Sequence, residues 1–77
     1  MKTTNKEVNT TWTAIDGDRF SNPTNNIYEY AVGSTPPDEA MLGHSLLPHK
    51  GVSREEFHAD DIFYFRGVTK GIVAVTK

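Results

Sequence analysis

Two arms at the end of the chain constrain its fold most. Asp61-Ile62-Phe63-Tyr64-Phe65-Arg66-Gly67 is followed, after Val68-Thr69-Lys70, by Gly71-Ile72-Val73-Ala74-Val75-Thr76. Both arms are rich in β-branched and aromatic residues, which suit a pleated, half-buried surface better than a helix. The connection from Gly67 to Gly71 carries a glycine at each end. That length and composition predict an antiparallel hairpin, forming the middle of a sheet against which the rest packs. Successive strand residues point to opposite faces, so in Phe63-Tyr64-Phe65 at least one ring must leave the core. Such a ring lies under a loop or in an interface.

The upstream chain reads as shorter strands separated by turn residues. Thr11-Trp12-Thr13-Ala14-Ile15 is a first strand, closed by the turn signal Asp16-Gly17-Asp18. Ser21-Asn22-Pro23-Thr24-Asn25-Asn26 is a loop by composition. In Ile27-Tyr28-Glu29-Tyr30-Ala31-Val32 the face carrying Tyr28, Tyr30 and Val32 is expected to point inward. After Gly33, residues 34–43 read as a single helical turn, with Thr35 or Ser34 as cap, proline at its start and Gly43 at its end. His44-Ser45-Leu46-Leu47 is a short strand stopped by Pro48. Residues 52–57 alternate like an edge strand, although Ser53 and Glu56 also spell a capping box. The sum is an all-β fold, a small antiparallel β-sandwich or open barrel of five to six short strands with one short helical turn. Residues 1–10 are polar and aperiodic, and are expected to be a flexible or partner-ordered N-terminal arm. Residues 11–77 then form a single β domain.

With 77 residues and 36% hydrophobic content, the core is small. Domains of this size lean on disulfides, metals or oligomerisation. The chain has no cysteine, which excludes disulfides and thiolate metal sites. Assembly with its own copies or a larger partner is therefore the expected source of further stability. The formal net charge is −2, and lysine and arginine are scattered rather than clustered, so nucleic acid is not an expected partner. No apolar run approaches the roughly 20 residues of a membrane span. No apolar segment follows the first residues as in a signal peptide, so synthesis in the cytoplasm is expected.

Candidate chemistry is sparse. Asp16-Gly17-Asp18 has the wrong order for a calcium loop and lacks the late carboxylate. His44, His49 and His58 fit no zinc-ligand spacing. His58 with Asp60 and Asp61 could serve as a general-base pair, yet the aspartates more simply end a loop. No nucleophile-elbow sequence occurs, and the glycines match neither a dinucleotide fingerprint nor a P-loop. Tyr28, Tyr30, Phe63, Tyr64 and Phe65 could form a stacking platform, but no basic groove accompanies them. The expectation is a non-enzymatic protein with no cofactor, no metal and no catalytic residue.

From Ile27 onward the order of elements resembles the small β-modules of tailed-bacteriophage virion proteins. The matching stretches are Tyr28-Glu29-Tyr30-Ala31-Val32, then Ser34-Thr35-Pro36-Pro37, Gly43-His44-Ser45-Leu46, Gly51, the arm from Asp61 to Gly67, and Gly71-Ile72-Val73-Ala74-Val75-Thr76. The resemblance implies a virion structural protein, foremost a head decoration or stabilising protein that binds the major capsid protein and its own copies. A tail or fibre component is the alternative within the same class. A small phage-encoded inhibitor of a host protein is the alternative in another class. Trp12, Tyr64 and Phe65 are the expected interface anchors, since aromatic residues dominate binding hot spots.

Overall fold

The computed structural model describes residues 2–58 and 60–77, with Glu56 by its backbone alone. These residues form eight β-strands: β1 (Thr3–Val8), β2 (Thr13–Ile15), β3 (Arg19–Ser21), β4 (Tyr28–Gly33), β5 (His44–Leu46), β6 (Gly51–Ser53), β7 (Ile62–Gly67) and β8 (Gly71–Thr76). They make two four-stranded sheets, ordered β1-β8-β3-β6 and β2-β7-β4-β5. Every pairing is antiparallel. The architecture is a small β-sandwich. No helix among the described residues is long and apolar enough to cross a membrane.

The two C-terminal arms are strands, but they are not a hairpin. β7 pairs with β2 and β4, whereas β8 pairs with β1 and β3. The connection at 67–71 carries the chain from one sheet to the other. Both arms present an apolar face, and stacking those faces buries each against the other instead of lining up both on one side of a single sheet. Phe63 and Phe65 enter the core from one sheet, and Val73 and Val75 from the other. Phe20 of β3 stacks on Phe63 with ring centroids 4.7 Å apart and lies 4.9 Å from Phe65. Val8, Ile15, Tyr28, Leu46 and Val52 complete the buried cluster, and Tyr30, Val32 and Phe57 pack at its margin. The inward face expected for β4 is therefore the face observed.

Glycine at 71 serves this crossing by letting a neighbour come close. Tyr28, opposite Gly67 in the β4–β7 ladder, is fully buried. Its hydroxyl accepts the Ile72 amide at 3.1 Å, joining one sheet's side chain to the other's backbone. A β-carbon on Gly71 would collide with that hydroxyl.

Three other expectations are corrected. Thr3–Val8, placed in the arm at 1–10, is a strand paired along its whole length with β8, from Thr3 opposite Thr76 to Val8 opposite Gly71. It is polar because only Val8 is buried. The ladder supplies what apolar burial does not. Residues 34–43 form no helix. Proline at 36 and 37 disfavours helical backbone at the residue before each and removes two amide donors. A tight turn closes instead, with the Met41 amide on the Asp38 carbonyl at 2.9 Å. The helical turn lies later, as a 3-10 turn at Arg54–Glu56, and Ser53 before it makes no side-chain cap bond. β6 occupies the strand half of that ambiguous segment.

Asn22 is the polar group at the heart of the loops. It is wholly buried. Its Nδ2 donates to the carbonyls of Asn26 and Leu46, and its Oδ1 accepts from the Thr24 amide and hydroxyl. Its backbone carbonyl also accepts the His49 amide at 2.8 Å. His49 has φ of 61°. It is the third residue of a turn in which Pro48 is second and the Lys50 amide reaches the Leu47 carbonyl at 3.1 Å, a position that demands positive φ.

These contacts set the expected cost of three substitutions. Gly71→Ala is expected to destabilise by about 1–3 kcal/mol through overpacking, and Tyr28→Phe by about 1 kcal/mol through the lost acceptor. The double variant should be less destabilised than the sum, because removing the Tyr28 hydroxyl clears the space that a β-carbon needs. Urea denaturation of all four chains gives the coupling, and strict additivity would show that the two residues do not touch. Asn22→Leu is expected to cost about 3 kcal/mol, since it strands the buried Leu46 carbonyl and the part-buried Asn26 carbonyl and Thr24 donors, and thermal melts measure it.

Candidate interaction surface

The outer face of the β2-β7-β4-β5 sheet carries the unusual chemistry. By alternation from Phe63 and Phe65, the outward residues of β7 are Ile62, Tyr64 and Arg66. The register sets Tyr64 between Ala14 of β2 and Ala31 of β4, and Arg66 beside Glu29. Small neighbours on both sides leave room for the Tyr64 ring. Residues 34–43, the connection from β4 to β5, lie across this face as a strap.

Arg66 holds the strap. Its Nη1 donates to the Glu39 carbonyl at 2.8 Å, and its Nη2 donates to the Met41 carbonyl at 2.7 Å. The same Nη2 lies 3.4 Å from Glu29 Oε2. Its guanidinium carbon sits 4.3 Å from the centre of the Trp12 ring. A planar guanidinium suits this work, since it can satisfy several acceptors in one plane and stack on an aromatic face. Trp12 Nε1 donates to the Asp38 carbonyl at 3.2 Å, and the Gly43 amide donates to Glu29 Oε2 at 2.9 Å. At Gly43 a β-carbon would lie 2.6 Å from the Tyr30 carbonyl oxygen and 2.7 Å from Trp12 Cη2, so glycine alone lets the strap close down. Glu29 is held below its ordinary value of 4.5, first by the Gly43 amide and then by Arg66.

The three expected anchors are placed differently. Trp12 is half-buried and stands just before β2, engaged with Arg66 and the strap. Tyr64 points outward but is only 5% exposed. Phe65 is 0% exposed, within the core against Phe20 and Tyr30. Alternation along β7 decides this: Phe63 and Phe65 share the inward face, and Tyr64 is the outward ring, buried nonetheless. Neither Tyr64 nor Phe65 is available at the surface of a folded single chain.

Exposed apolar surface comes from other residues. The large hydrophobic side chains that remain open among the described residues are Ile27, Met41, Leu42, Leu47, Ile62, Val68 and Ile72. All but Ile72 belong to the β2-β7-β4-β5 sheet or its connections. Ile27, Leu47 and Val68 each lie one residue beyond the buried row Tyr28–Leu46–Gly67, so extending the register sets them in one row at the sheet's end. Val68 is 89% and Leu42 84% exposed. The sequence held a signal for this surface: Leu42 before Gly43, Leu47 before Pro48 and Val68 between two glycines are apolar residues at turn positions, where a side chain cannot reach the core.

A further concavity lies elsewhere, lined by Ala14, Ile15, Asp16, Asp18, Arg54, Asp60, Asp61 and Ile62. Several of its charged residues are engaged. Asp16 pairs with Lys77 at 2.6 Å, and Arg54 donates to the carbonyls of Gly17 and Asp61 while lying 5.0 Å from the Phe63 ring centre. The Asp61 carboxylate accepts the His58 backbone amide at 3.3 Å; Ala59, between His58 and the aspartates, lies outside the described residues. The histidines do not converge: His44 lies beside Tyr30, and His49 bonds Asn25. Among the described residues, no group of three or more His, Asp or Glu side chains is arranged to hold a metal ion.

A pH dependence follows from Glu29. Its folded-state value is depressed, so the ionised form stabilises the fold fully above its ordinary value of 4.5, and that contribution is lost as pH falls below it. Glu29→Gln removes it. The urea midpoints of the two chains are expected to differ most near neutral pH and to converge in acid; a gap independent of pH would contradict the assignment. No protein-family model matches the chain, and neither the curated proteins nor the solved structures include one similar to it.

Proposed function

We propose that the protein is a non-enzymatic assembly module that binds protein surfaces through the outer face of the β2-β7-β4-β5 sheet. The observation that carries this reading is the concentration of exposed apolar side chains on that sheet's connections and strap, while the opposite sheet turns mainly Thr, Ser, Asn, Ala and Gly outward. Contiguous apolar patches on a small soluble domain mark interaction sites. In its specific form the reading is a structural protein of a tailed-phage virion, a head decoration protein resting on the major capsid protein and on its own copies. The resemblance across residues 27–76 supports that form, as does the smallness of a core that gains from assembly.

Two measurements test it. Quantitative mass spectrometry of purified virions is expected to find the chain in many copies, near a simple ratio to the major capsid protein. A few copies per particle would move it to the tail or fibre, and absence from particles would remove it from the virion and favour the host-inhibitor role. Leu42→Asp with Val68→Asp is expected to shift the melting temperature by no more than about 4–8 °C, since exposed substitutions usually change stability by under about 0.5 kcal/mol each. The same pair should abolish incorporation. Full incorporation of that double variant would show that this face is not the docking surface.

A further inference from the structure

We infer that residues 34–43 are a latch, opening as a unit while the sandwich stays folded and uncovering the apolar row beneath. Its use in docking rests on the binding role proposed above; the opening itself does not.

The strap's attachments are the first ground. No side chain from 34–43 belongs to the buried cluster. Except for Pro37 and Gly43, its residues are exposed. It takes no part in a strand ladder, and the bonds that fasten it run from its backbone to outward side chains of the sheet: Trp12, Arg66 and Glu29. Within itself it has the turn bond from Met41 to Asp38 and the Ala40 amide on Asp38 Oδ1. Releasing it therefore breaks no sheet pairing and removes no core side chain. Segments fastened this way sit at the low end of the range of opening free energies, and ladder amides sit at the high end.

What it covers gives the latch a consequence. Tyr64 and Ala31 are buried although both point outward from the sheet. With the strap lifted, Tyr64, Ala31 and the Trp12 ring open on the same face as the exposed Ile27, Leu47 and Val68, with the Glu29–Arg66 row between the two sets. Met41 and Leu42, on the strap, move with it. The Arg66 guanidinium sets the balance, because it holds two strap carbonyls and the Trp12 ring at once.

Native-state hydrogen exchange on the isolated chain tests this without a partner. The Met41 and Gly43 amides are expected to exchange at least about 100-fold faster than the ladder amides of β4 and β7, after correction for intrinsic rates, and with no dependence on low urea. Arg66→Ala is expected to speed Gly43 exchange about 100-fold further, at about tenfold for each of the two charged hydrogen bonds to the strap that are lost. Trp12, the single tryptophan, should shift its emission to the red in that variant while the ladder amides keep their protection. Met41 and Gly43 exchanging with the same free energy and urea dependence as the ladder would overturn the latch. So would an Arg66→Ala chain with unchanged Gly43 exchange and unchanged emission. If that variant does not fold, the wild-type exchange pattern decides alone. A latch that opens in a chain absent from virions would refute the virion role and keep the latch.

Discussion

The contact of Phe20 with Phe63 and Phe65 holds the two sheets together, and the rest of the molecule depends on it. One ring comes from a three-residue strand in one sheet, and two come from a central strand of the other. Aromatic rings bury much area per residue, which matters where strands are short and the chain has 77 residues. Around this cluster every inward position carries what it can. Val73 and Val75 fill the opposite sheet, Tyr28 spans the gap and delivers a hydroxyl to the Ile72 amide, and Arg54 lies against Phe63 from outside. Without the face-to-face stacking of the rings, neither sheet has a second side to pack on.

The outer faces differ because their work differs. On the β1-β8-β3-β6 sheet small and polar residues meet solvent directly, and at the edge Lys6 of β1, on the inward side with Val8 yet exposed, is a charge that discourages pairing with another edge. On the other sheet, whose outward aromatic residue Tyr64 is buried, a strap crosses the face and brings its own backbone polar groups, which need partners. Arg66, Glu29 and Trp12 are those partners. This explains an arginine in an otherwise aromatic strand: its position has the parity of Tyr64, so it stands beside the buried ring and fastens the strap.

Much of the fold is legible along the chain, and the misreadings share a cause. Composition places strands at 11–15, 27–32, 44–47, 61–67 and 71–76, each within one or two residues of an observed strand, since β-branched and aromatic runs between glycines and prolines carry that information locally. The polar strand Thr3–Val8 is not legible, because its place comes from β8 at the far end of the chain rather than from its own side chains. The hairpin expected at 61–76 fails for a related reason. A glycine-bounded link of that length suits a turn within a sheet and a crossing between sheets equally well, and the choice rests on whether apolar faces line up or stack. Phe65 reads as an anchor along the chain because three consecutive rings do not announce which parity faces in.

By itself, the sequence determined the class: β-structure, a small core without cysteine, turns where glycine, proline and asparagine fall, and the inward face of β4 through the spacing of Tyr28, Tyr30 and Val32. Only tertiary structure decided which strands are neighbours, that Tyr64 is buried, and that Arg66 gathers two carbonyls, a carboxylate and an indole from separate segments. The physical reason is range. Side-chain alternation and turn chemistry act over a few residues, whereas pairing partners, burial and hydrogen-bond geometry depend on groups far apart in the chain being brought together by the burial of apolar surface.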